Sequence, residues 1–151
     1  MSLIKINAPL LFLFFLLVGC VAPNYDAVSE QQISSIQNEI DLKLSSWTEV
    51  IDREQKPLSE IKEIQYANNI DFYNKVQADL RSLEIRLSLN KNPQIRQQLI
   101  TFSQSLSKQL TTFQNDHKQR GYLFRPQIEN QRKLFNVQMK SLLATQQQFK
   151  S

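Results

Sequence analysis

Two glycines, one cysteine and one histidine are all that 151 residues contain of these types. Phosphate-cradling loops need several glycines close together, so they are excluded. Strand-rich folds use glycine at turns and bulges, so its scarcity also argues against them. Metal centres draw on clusters of histidine, cysteine and carboxylate, and one His with one Cys supplies no such cluster. A single cysteine also excludes any disulfide within the chain. His117 stands four residues after Phe113 at the end of an apolar stripe, with no partner motif beside it. It reads as a helix-end or boundary histidine rather than a base. No catalytic residue, cofactor-binding residue or metal ligand is assigned, and the protein is expected not to be an enzyme.

Long apolar runs are equally scarce. The one run free of polar residues covers positions 10–18, behind a short segment whose only charge is Lys5. A spanning helix needs about 20 apolar residues, whereas a run of this length makes the core of a signal peptide. The run closes on Leu17-Val18-Gly19-Cys20, and these four residues resemble the lipobox of bacterial prolipoproteins. The resemblance covers only residues 1–20. It implies a signal peptide over residues 1–19, cleavage between Gly19 and Cys20, a diacylglycerol on the Cys20 sulfur, and acylation of the new amino group. Each acyl chain contributes about 0.8 kcal/mol per buried CH2, so two or three chains anchor firmly. Once lipidated, the mature chain carries no thiol, which suits an oxidising envelope compartment. The sorting residue is Val21. By resemblance to Gram-negative lipoproteins, aspartate at this position favours retention on the inner membrane. Valine therefore implies the periplasmic side of the outer membrane, or the outer face of the plasma membrane in a Gram-positive cell.

The remainder is patterned for helices. Residues 20–27 are expected as a short tether and residues 28–151 as a single helical-bundle domain. Ile33, Ile36, Ile40, Leu44, Trp47 and Ile51 recur at steps of three and four, which paints one helix face. Ser29 with Gln32 offers a capping box at its start, and Pro57 marks its end. A second stripe runs Tyr66, Ile70, Tyr73, Val76, Leu80, Leu83, Leu87, with Leu58, Ile61 and Ile64 upstream in a slipped phase around Asn68-Asn69. A kink or break is expected there. Asn92 can cap a third helix and Pro93 fits its first position. That helix carries Ile95, Leu99, Phe102, Leu106, Leu110 and Phe113 and should end near Gly121. A fourth begins near Pro126 and repeats Ile128, Phe135, Leu142 and Phe149 every seven residues, flanked by Met139 and Leu143. Short connections make neighbours antiparallel. The expected fold is all-α: an antiparallel bundle of three to four long helices after a cleaved signal peptide.

Charge is divided along the chain. Residues 20–89 hold 7 Lys/Arg against 12 Asp/Glu, and residues 90–151 hold 10 against 2. The simplest expectation is pairing between acidic and basic helices. A basic face for an anionic partner is the other, with Lys118, Arg120, Arg125, Arg132 and Lys133 as its residues. Nucleic acid is not expected, because the anchor places the protein outside the cytoplasm. The third helix is rich in glutamine, a good helix former that stays soluble without charge. Ser59, Ser88 and Ser105 each begin an S-x-x-K match. The S-D-N and K-T-G elements that accompany this motif in penicillin-recognising enzymes are missing, so the matches are set aside. Tyr122 and Phe124 flank Leu123 beside Gly121 and are expected to close one end of the bundle, or else to form a recognition tip.

Two functional classes follow. The first is a lipid-anchored, non-enzymatic interaction or scaffold module, or an inhibitor of the immunity or exclusion type, with a protein or anionic envelope partner. The second is a bundle that holds a lipid or other amphiphile in a pocket lined by Phe102, Phe113, Phe135 and Phe149. Apart from the covalent lipid on Cys20, no cofactor is expected.

Overall fold

The computed structural model describes residues 26–148. Gly19, Cys20, Val21 and the signal peptide expected over residues 1–19 lie outside the described residues, as does Phe149.

Helix α1 spans Ala27–Arg53. Its cap is Asp26, whose carboxylate accepts from the Val28 amide at 3.0 Å and from the Ser29 hydroxyl at 2.7 Å. This corrects the capping box expected at Ser29 and Gln32. Ser29 is buried under the cap, while Gln32 Nε2 reaches across to the Asp79 carbonyl at 3.4 Å. A carboxylate suits the cap because the first turn presents unpaired N–H groups at the positive end of the helix dipole.

After α1 come three isolated 3-10 turns at Leu58–Glu60, Lys62–Ile64 and Tyr66–Asn68. They lead into α2, Ile70–Ser88. The break expected at Asn68-Asn69 is present, and Asn69 accounts for it. Its side-chain amide donates to the carbonyls of Glu63 and Gln65 at 2.8 and 2.7 Å. Side-chain bonds of this kind compete with the helical ladder. Ile61 and Ile64 still reach the core, whereas Ile70, on the far side of the slip, is exposed.

Helix α3, Pro93–Arg120, is capped by Asn92, whose Oδ1 accepts from the amides of Gln94 and Ile95 at 3.0 and 3.2 Å. It ends on Gly121 at φ 82°, in the left-handed region. Helix α4 covers Arg125–Gln147. Ile128, Phe135, Met139 and Leu142 are all buried along it.

Each helix contacts its chain neighbours, and α4 closes the ring against α1. Cross-helix bonds show that adjacent helices are antiparallel. Gln37 meets Asn136 while Gln147 meets Glu30, and Gln77 meets Gln114 while Gln104 meets Glu84. The result is the all-α, up-down-up-down bundle, about 40 Å long at 1.5 Å per helical residue. One end, called near, gathers Asp26, the turn after α2 and the end of α4: Arg86 pairs with Asp26, and Gln146 Nε2 donates to the Asp26 carbonyl at 3.2 Å. The far end gathers the 3-10 turns and the Gly121–Phe124 connection. There the Tyr66 amide donates to the Gly121 carbonyl at 2.8 Å and the Leu123 amide to the Ile64 carbonyl at 3.2 Å.

Candidate functional site

Among the described residues, most of the aromatic side chains lie at the far end. Trp47 comes from α1, Tyr66 from the last 3-10 turn, Phe72 and Tyr73 from α2, and Phe113 and His117 from α3. They pack mostly edge to face. Trp47 lies 5.4 Å from Phe72 and 5.9 Å from His117, and Tyr73 lies 6.0 Å from Phe113, ring centre to ring centre. This geometry aligns ring edges with the negative faces of their neighbours.

The polar atoms inside are paired. Trp47 Nε1 donates to Asn69 Oδ1 at 3.2 Å. His117 Nε2 is 2.8 Å from the Ile64 carbonyl, and Nδ1 is 2.8 Å from the Tyr73 hydroxyl. A carbonyl only accepts, so Nε2 carries the proton, Nδ1 accepts from Tyr73, and the imidazole is neutral. Burial reinforces that state and pushes the imidazole down to about 4; the Ile64 carbonyl opposes it. Burial likewise pushes the Tyr73 phenol up, out of the range in which it would ionise. His117 stands in the last turn of α3, the helix-end position expected of it, but it is fully buried rather than at a boundary. With both ring nitrogens used internally, it has no lone pair to offer a substrate. Its chemistry is that of a tie between α3, α2 and the 3-10 segment. The sequence did carry a signal for this, because four residues after Phe113 is still on the apolar stripe.

The five candidate basic residues do not form one unpaired face. Arg132 grips Asp41 with two bonds of 2.6 and 3.0 Å, and Arg125 pairs with Asp52 and Glu129. Both cross from the basic part of the chain to the acidic α1, as the charge division predicts. Arg132 also holds the Asp41 carboxyl below the usual carboxylate range. Lys118, Arg120 and Lys133 stay exposed. Arg120 lies over the Phe124 ring at 5.3 Å. Leu123 is fully buried, Phe124 is half-buried, and Tyr122 remains exposed beside Gly121. The loop therefore closes the bundle with its middle residue and offers the flanking rings to solvent.

Of the four phenylalanines proposed to line a core pocket, three lie among the described residues. Phe113 and Phe135 are packed in the core, and Phe149 lies outside the described residues. Phe102 instead edges an open groove near the other end of the bundle, with Pro93, Gln94 and Gln98. Ser103 takes the buried position next to it. Among the described residues, no group of three or more His, Cys, Asp or Glu side chains gathers to hold a metal. No described helix is long and apolar enough to cross a membrane. The chain matches no protein-family model, and no curated protein or solved structure is similar to it.

Proposed function

We propose that this is a lipid-anchored protein of the bacterial cell envelope, held by a diacylglycerol on Cys20. In this reading it works without catalysis, as an interaction module or inhibitor that presents the far end of its bundle to a protein or anionic envelope partner. Val21 directs the reading to the periplasmic side of the outer membrane.

The observation that carries it is the polarity of the bundle relative to Leu17-Val18-Gly19-Cys20. The segment that follows Cys20 enters at the near end through Asp26, and the exposed Lys118, Arg120 and Tyr122 sit at the other with the half-buried Phe124. The six residues from Val21 to Asp26 reach at most about 20 Å, so the anchor keeps the near end against the membrane. The far end stands about 40 Å beyond it when the bundle is upright. A cation with an adjacent aromatic, as at Arg120 and Phe124, is the kind of group that anchors protein interfaces.

The test is in-cell crosslinking from position 122, followed by separation of inner and outer membranes. The expected result is one dominant crosslinked partner in the outer-membrane fraction, lost when Lys118 and Arg120 are both changed to Glu. Cys20→Ser should accumulate as unprocessed precursor. Normal maturation and membrane retention of Cys20→Ser would overturn the anchor, and crosslinking indifferent to both charge reversals would overturn the far-end surface.

A further inference from the structure

Lys43 is the unusual cation of the molecule. It sits on α1 with Nζ 5.3 Å from the centre of the Trp47 ring and 5.9 Å from that of Phe72. Among the described residues no carboxylate pairs with it. Burial lowers its affinity for a proton, so the ammonium is partly stripped of water with only ring faces in exchange.

Two surface grooves meet at this side chain. One, of about 460 Å³, is lined by Lys43, Trp47, Lys62, Glu63 and Asn68. The other, of about 540 Å³, runs along α1 past Asn38, Glu39, Leu42 and Phe72. Lys43 and Ser46 belong to both. Their chemistry differs. The first has two ammonium groups, neither paired with a carboxylate among the described residues, against the single carboxylate of Glu63. The second has its only carboxylate, Glu39, held by Lys75. It also exposes Leu42 at 71%, together with the edge of Phe72. A pocket with an excess of positive charge therefore continues, across a single lysine, into a more apolar one whose carboxylate is already paired.

We propose that this composite groove is a binding site for a small anionic amphiphile. Its carboxylate or phosphate sits between Lys43 and Lys62, and its apolar part lies along Leu42 and Phe72. The incoming anion gives the Lys43 ammonium the partner it lacks, in a setting where water screens it less than at the open surface. The apolar part covers Leu42, which gains by leaving water. The proposal does not depend on the lipid anchor or on the far-end interface.

Trp47 is the only tryptophan of the chain and lines the groove directly, so its emission reports occupancy. The full chain is reconstituted in phosphatidylcholine vesicles and titrated with hexanoate, with hexanol as the uncharged chain and acetate as the chainless anion. Hexanoate should shift Trp47 emission saturably, and hexanol and acetate should each need at least about tenfold more, the scale of one charge-assisted contact. Lys43→Met should cost about tenfold in hexanoate affinity, and Lys43→Arg should restore most of it. Lys62→Gln, on the exposed rim, gives the same direction in a variant that leaves the rings untouched. Hexyl phosphate binding in place of hexanoate would support the site and identify the head group as phosphate. Equal responses to hexanol and hexanoate, or hexanoate binding unchanged in both Lys43→Met and Lys62→Gln, would overturn the proposal.

Discussion

His117 and Tyr73 share a 2.8 Å hydrogen bond inside the far-end cluster, and its consequence is measurable as a pH dependence. The imidazole stands near 4 in the folded chain against 6.5 as its ordinary value. The unfolded chain therefore takes up a proton at a pH where the folded one refuses it. Stability from this group is complete above pH 6.5, declines as pH falls from 6.5 towards 4, and levels off below that. The loss amounts to a few kcal/mol at most. Urea unfolding across this interval should show the decline in the natural chain and a flatter profile in His117→Gln, since the sequence has one histidine. A second, more acidic decline belongs to Asp26, which the Arg86 guanidinium holds at about 2 against 3.8. Its contribution is present above 3.8 and is lost as pH falls towards 2, so the two groups separate cleanly on the pH axis.

Element ends are set by single residues with identifiable reasons. Gly121 terminates α3 with φ 82°, and a Cβ built on it would meet nothing within 4 Å. Gly121→Ala is thus penalised by the left-handed backbone alone, by about 1 kcal/mol, and Gly121→Asn should cost less. Thermal unfolding of the two variants distinguishes this from a packing effect, which would penalise the larger Asn more. Asn92 caps α3 as its sequence position suggests, because a cap followed by Pro93 is a local arrangement that neighbours along the chain define. The start of α1 was less legible. Asp26 and Ser29 both suit a cap, and the choice between them rests on Arg86, which approaches Asp26 from α2. A local reading has no access to that partner.

At the scale of the molecule, the charge division resolves into ion pairs between α1 and α4, at Asp41–Arg132 and Asp52–Arg125. All four side chains remain a third to a half exposed, and such pairs are screened by salt and individually weak. The buried core stabilises the bundle far more: Trp47, Tyr73, Phe113 and many aliphatic side chains are fully buried. Unfolding of the protein should therefore shift by only a few degrees between low and high salt. A large salt-induced drop would mean that pairing, not the core, holds α1 to α4. The pairs serve register instead, because a slide of α1 along α4 would separate both at once.

What the sequence determined by itself was the set of helices, most of their faces, the break at Asn68-Asn69 and the caps at Asn92 and Gly121. These follow from periodicity and backbone preference, which act over a few residues. It also carries Leu17-Val18-Gly19-Cys20, whose resemblance to a lipobox underlies the proposed location. The tertiary structure decided which cap starts α1, that His117 is interior, and that Arg125 and Arg132 are paired while Lys118, Arg120 and Lys133 stay exposed with no carboxylate partner among the described residues. It also left Phe102 only partly buried at the edge of an open groove, and brought Lys62 and Phe72 to adjoining grooves on either side of Lys43. Each of these depends on antiparallel register between segments tens of residues apart. Register is fixed by the simultaneous burial of whole helix faces, a quantity no short stretch of sequence contains.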